Sequence, residues 1–186
     1  MWPFSIFKSA PAPQPKAKNN QAPRQVTPAP TTATTVAAVT PSSAGISFNP
    51  NLIAKLKDDH QDLFAIYTRL HEAGISARFT KITDDLIVLR RAFNGHILLE
   101  NVRFYVYLER LLKNHSEERN YVHSLRKDMN GIASAVSTFC DKWITNPVSA
   151  KTQAEFNNEL QGIGGALTAR VELEESTLYT LYVESL

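Results

Sequence analysis

The sequence predicts an all-α protein, an up-down-up-down four-helix bundle behind a disordered N-terminal tail. Three observations lead there. Apolar residues recur at spacings of three and four through four segments between Asn49 and Leu181, the period of a helix face. The breaks between those segments are short and polar, and no stretch alternates as a half-buried strand does. Nine of the ten prolines fall within the first 50 residues, so the helix-breaking composition is confined to one end.

That end is taken first. Residues 1–45 interleave proline with alanine, glutamine, threonine and serine, as in PAPQPKAK and TPAPTTATT. Too little apolar surface is available there to offset the entropy of ordering, so the segment is expected to be an extended tail and residues 46–186 the bundle. The tip carries Trp2, Phe4, Ile6 and Phe7 beside Lys8. Residues 1–7 are a candidate docking motif for a partner protein or a membrane surface, with a frayed apolar terminus as the alternative. A face of the bundle is the other candidate partner surface.

Asn49 before Pro50 is an N-cap with proline at the first helical position, and helix one is expected to run to about His71, stopped by Ala73-Gly74. Its stripe is Leu52, Leu56, Leu63, Tyr67 and Leu70. His60 lies roughly 40° from Leu56 on the helical wheel, inside that stripe. Helix two is expected from Ser76 or Thr80 to about Lys113, with Ile82, Leu86, Leu89, Phe93, Tyr107 and Leu111 facing inward. His96 and Glu100 fall within about 20° of the centre of this face. After the polar break Asn114-His115-Ser116, helix three spans about Ser116 to Thr145. Its inner face runs from Val122 through Leu125, Met129, Ile132, Val136 and Phe139 to Trp143. His123 points away from it by roughly 160°, whereas Asp128, roughly 60° off centre, can reach inward from the flank. Asn146-Pro147 ends this helix. Helix four opens with a capping-box pattern, Thr152-Gln-Ala-Glu155, and continues through Phe156, Leu160, Ile163, Leu167, Val171, Leu178 and Leu181. Glu174 lies near the middle of that face. Gly162, Gly164 and Gly165 weaken the helix, which points to close approach of a neighbouring backbone.

Composition narrows the function. At 186 residues and 43% hydrophobic content, the chain has room for one domain and an appendage. Residues 1–45 hold Lys8, Lys16, Lys18 and Arg24 without an acidic residue, so of the formal +2 the remainder carries −2. A nucleic-acid binder is not expected from such a domain. No run approaches the roughly 20 apolar residues of a membrane span, and the apolar start is too short for a signal peptide. The single cysteine, Cys140, excludes an intrachain disulfide and a CxxC metal knuckle. A reducing, cytoplasmic setting is expected.

Chemistry concentrates in the buried stripes. Helices one, two and four turn His60, His96, Glu100 and Glu174 inward, and helix three offers Asp128. A carboxylate buried alone costs several kcal/mol, so each must be paired, protonated or bound to metal. Two solutions are open. Imidazoles and carboxylates from facing helices can coordinate iron or a similar ion. Alternatively, Arg103 and Arg170 turn in and compensate Glu100 and Glu174, the second pair being four residues apart on one helix. No nucleophile with a base and no phosphate loop accompanies them, so any enzymatic role would be that of a metal-dependent oxidase.

These residues resemble the hemerythrin-like, HHE cation-binding family over about residues 50–184. The carriers are the histidine in LKDDHQDLF, the HxxxE of His96 to Glu100 followed by NVRFYVYL, and the closing ALTARVELEESTLYTLY. The last two segments also resemble each other: Arg170 to Glu174 ending in Leu178-Tyr179 mirrors His96 to Glu100 ending in Phe104-Tyr105. The resemblance implies first ligands at His60, His96 and Glu100 and a mono- or di-iron cofactor. The family's HxxxH on helix three is absent, since Lys127 follows His123 at the fourth position. Arg170 replaces the last family histidine, with Glu174 or Glu175 near the usual terminal carboxylate. Redox, oxygen or nitric-oxide sensing is thereby implied in preference to oxygen transport. A second similarity, to the bacterial regulator-of-sigma-D family, rests on Gly95-His96 and LQGIGGALTARVELE. It implies the alternative, a metal-free regulatory module that binds a protein partner.

Overall fold

The computed structural model describes residues 46–184. The expectations for the tail and its tip at residues 1–7 lie outside the described residues. Helix α1 spans Leu52–Ile75, α2 Phe79–Leu99, α3 Tyr105–Leu111, α4 Ser116–Thr145 and α5 Gln153–Leu173. A π-helical turn at Glu100–Phe104 joins α2 to α3, so the two form one rod. A second π-turn, Glu174–Leu178, extends α5 into a short 3-10 turn at Tyr179–Leu181. Four rods therefore make the predicted up-down-up-down bundle, with α1 against α2 and α5, and α4 against the same two. No strand occurs among the described residues.

The helix ends differ in detail from the sequence expectations. Asn49 Oδ1 accepts from the Asn51 amide at 3.0 Å and closes the entering turn, but regular helix starts only at Leu52. Gly74 does not stop α1. It is buried in the helix, where a Cβ would stand 2.2 Å from Asn157 Oδ1 and 3.2 Å from Phe156 Cε1. Its missing side chain lets α5 approach. The helix ends at Ser76 because Ala77 turns left-handed, φ 53°, and the Arg78 amide bonds back to the Ala73 carbonyl at 2.9 Å. The expected capping box at Thr152 does not form, since Thr152 Oγ1 accepts from the Ser149 amide and Glu155 pairs with Lys142. Of the three glycines of α5, only Gly164 meets a neighbour, the Tyr67 ring at 2.4 Å from a built Cβ.

Two apolar cores divide the bundle along its length. The larger holds Leu63, Leu70, Leu89, Phe93, Phe139, Trp143, Phe156 and Leu167 among others. The smaller gathers Leu52, Leu56, Phe104, Tyr105, Val122, Leu178, Tyr179 and Tyr182. Along three rods the boundary between the cores is polar. His60 lies between Leu56 and Leu63, His96 and Glu100 between Phe93 and Phe104, and Arg170 and Glu174 between Leu167 and Leu178. The candidate site is this buried polar belt.

Candidate metal centre

Each belt residue is delivered by a helical period and then fixed by its neighbours. His60 and His96 lie with ring centroids 4.8 Å apart. His60 Nε2 is 3.2 Å from Glu174 Oε2, and its Nδ1 is 2.8 Å from Glu175 Oε1. His96 turns Nε2 toward Glu100 Oε2 at 3.9 Å and Nδ1 toward Asp59 Oδ2 at 3.9 Å. One donor atom each from His60, His96 and Glu174 lies within 4.8 Å of the others, and all three residues are buried. Glu100 borders this trio. Its Oε1 accepts from the Tyr179 hydroxyl at 3.0 Å, while Oε2 has no hydrogen-bond partner.

The two π-turns explain how both tyrosines reach the belt. Glu100 and Glu174 each open a π-turn, and Tyr105 and Tyr179 each follow one. The extra residue sets everything beyond it back by about 100° around the helix axis. The tyrosines then serve opposite halves. Tyr105 OH accepts from Arg170 Nη2, and Tyr179 OH, which bonds Glu100, also stands 3.4 Å from His60 Nε2. Arg170 Nε donates to Glu174 Oε1, and Nη1 to the Leu125 carbonyl at 3.1 Å.

Charge within the belt follows from these contacts. Burial disfavours the His60 imidazolium, but the Glu174 and Glu175 carboxylates on its ring nitrogens outweigh burial and raise its pKa above 6.5. Burial, and next the positive charge of His60, push His96 down to about 4. For Glu100, burial and the nearby Glu174 charge hold the carboxyl well above its usual range. Burial acts on Glu174 in the same direction, yet the His60 hydrogen bond and the Arg170 guanidinium prevail and keep it ionised.

Of the residues singled out in the sequence, His60, His96, Glu100, Glu174 and Arg170 come together. Asp128 and Arg103 do not. Asp128 is exposed on α4, whose Leu125 carbonyl accepts from Arg170. Arg103 is exposed because it lies within the first π-turn, where the helical wheel used to place it no longer holds. Asp59, Glu175 and the tyrosine pair complete the set. The internal repeat contained both tyrosines, but nothing in it assigned them partners in the opposite half.

The donor set suits a metal ion. Neutral imidazole and carboxylate ligands favour first-row divalent metals such as iron, manganese and zinc. A buried carboxylate oxygen without a partner, Glu100 Oε2, is what a cation would satisfy. No helix among the described residues is long and apolar enough to cross a membrane. A family model, the hemerythrin HHE cation binding domain, matches residues 51–182. No curated protein and no solved structure matches the chain.

Proposed function

The chain belongs to the hemerythrin HHE cation-binding domain family, and we propose from that premise that it holds a single non-haem iron ion through His60, His96, Glu100 and Glu174. Its role is redox, oxygen or nitric-oxide sensing, not oxygen transport. The carrying observation is the convergence of the His60, His96 and Glu174 donors within 4.8 Å beside a glutamate oxygen that lacks a partner. Bound iron supplies one-electron chemistry and affinity for small diatomic molecules. The chain's own residues do the rest. His60 would hold the ion through Nε2 once that nitrogen is unprotonated, its Nδ1 remaining against Glu175. Tyr179 orients Glu100 through Oε1 and leaves Oε2 free. Arg170 balances the charge of Glu174 from the side away from His60. A guanidinium held there is why one ion is proposed. The reducing, cytoplasmic setting suits a free buried thiol at Cys140.

Nitric oxide added to the anaerobic ferrous protein tests the reading. The expected result is a new paramagnetic resonance signal in wild type and its loss in His96→Ala. A reversible colour change on cycling between argon and air would instead indicate an oxygen carrier.

One observation favours the alternative of a metal-free regulatory module. Arg170, Glu174 and His60 already satisfy one another without an ion. In that case iron content would be negligible, and a partner would bind the tail tip or a bundle face.

A further inference from the structure

Between α1 and α2 a solvent-open cleft of about 380 Å³ leads down to His96. Lys55 and Asp59 line it from α1, and Val88, Arg91 and Gly95 from α2. Three features distinguish it from a chance groove. His96 is only 4% exposed, and its Nδ1 has no hydrogen-bond partner, although Nε2 faces Glu100 in the belt. Gly95 lines the cleft with nothing within 4 Å of where a Cβ would stand, so a larger side chain has room there. Arg91 is exposed and makes no ion pair among the described residues, whereas Asp59 is already neutralised by Lys55. The mouth therefore carries one uncompensated positive charge.

We propose that this cleft is the port through which small inorganic anions reach the polar belt, drawn by Arg91 and received by His96 Nδ1. An imidazole that binds a metal through Nε2 carries its proton on Nδ1 and donates it outward. An anion in the cleft supplies the acceptor that Asp59, 3.9 Å away, does not. The chemistry is selective by charge, since the one uncompensated group at the mouth, Arg91, attracts anions and opposes entering cations. The port rests on the proposed metal site for its use, but its existence is testable without metal.

Two measurements on the full chain separate the possibilities. In metal-free protein, diethyl pyrocarbonate labelling followed by peptide mass spectrometry reports access to His96, with exposed His123 as the internal reference. Gly95→Leu, a substitution that fills the cleft and favours helix, should remove most labelling at His96 and none at His123. In iron-loaded protein, stopped-flow binding of azide should slow in Gly95→Leu. In Arg91→Glu it should slow by roughly tenfold at low salt, an effect that disappears at high salt. Equal labelling of His96 in wild type and Gly95→Leu, or no labelling in wild type, overturns the port. Failure of wild type to take up iron overturns the metal reading, while the labelling comparison still decides the port.

Discussion

Arg170 and His96 occupy equivalent places in the two halves of the bundle. Each stands four residues before a buried glutamate that opens a π-turn, and each lies against that glutamate. The halves are not chemically equivalent. The imidazole leaves Glu100 with an unsatisfied oxygen, whereas the guanidinium satisfies Glu174 and ties it to Tyr105 and the α4 backbone.

Removal of the guanidinium should be costly. Arg170→Ala leaves a carboxylate that is 1% exposed with His60 as its remaining charge partner, and breaking such a buried pair is worth about 3–5 kcal/mol. Urea unfolding of metal-free protein at neutral pH measures the loss. A change below about 0.5 kcal/mol would contradict the buried pair.

Glu100 should make the metal-free protein less stable as pH rises. Its folded-state pKa is raised by burial and by Glu174, so the folded protein keeps a proton that the unfolded chain releases from about pH 4.5. The stability this proton contributes is full below pH 4.5 and is lost as pH climbs through the raised value. Glu100→Gln keeps the acceptor for Tyr179 but cannot ionise. Its Tm advantage over wild type is therefore expected to grow between about pH 5 and pH 9. A constant difference would show that Glu100 titrates normally.

His96 acts in the opposite sense. Its pKa falls from 6.5 to about 4 on folding, so its contribution is present above pH 6.5 and lost as pH drops toward 4. His96→Phe should flatten this acid limb in thermal melts of the metal-free protein. An unchanged limb would mean that the imidazole protonates freely inside the fold.

The helical wheel made the fold and the four inward donors legible because heptad-scale periodicity survives in α1, in α2 and in α5 up to Glu174. It failed where the period changed. A π-turn is one inserted residue with no side-chain signature of its own, so the helical wheel places Arg103 inward although it faces solvent, and leaves the roles of Tyr105 and Tyr179 hidden. Asp128 was a different case. A flank position about 60° from the stripe centre is buried only if a neighbouring rod covers it, and which rods lie beside α4 is a tertiary fact. Asp59, next to His60 in sequence, reaches His96 only because α2 packs across α1. Gly74 reads as a helix stop by composition but serves the approach of α5, while the left-handed residue is Ala77.

Those two positions give a paired stability test. Gly74→Ala forces a Cβ against Asn157 and Phe156 and should cost about 1–3 kcal/mol. Ala77→Gly relieves the left-handed conformation and should stabilise by up to about 1 kcal/mol. Denaturant midpoints at constant m-value check both, and a stabilising Gly74→Ala or a destabilising Ala77→Gly would contradict the helix end described for α1.

The most direct measurement is the iron content of the full chain purified from iron-supplemented culture, compared across wild type, His96→Ala, Glu100→Gln and Asp128→Ala. About one iron per chain is expected in wild type and in Asp128→Ala, accompanied by a rise in Tm on loading with ferrous iron that a chelator reverses. His96→Ala and Glu100→Gln should lose most of it. Wild-type protein with only trace iron, or iron that stays when His96 is removed, would contradict a metal centre in the polar belt.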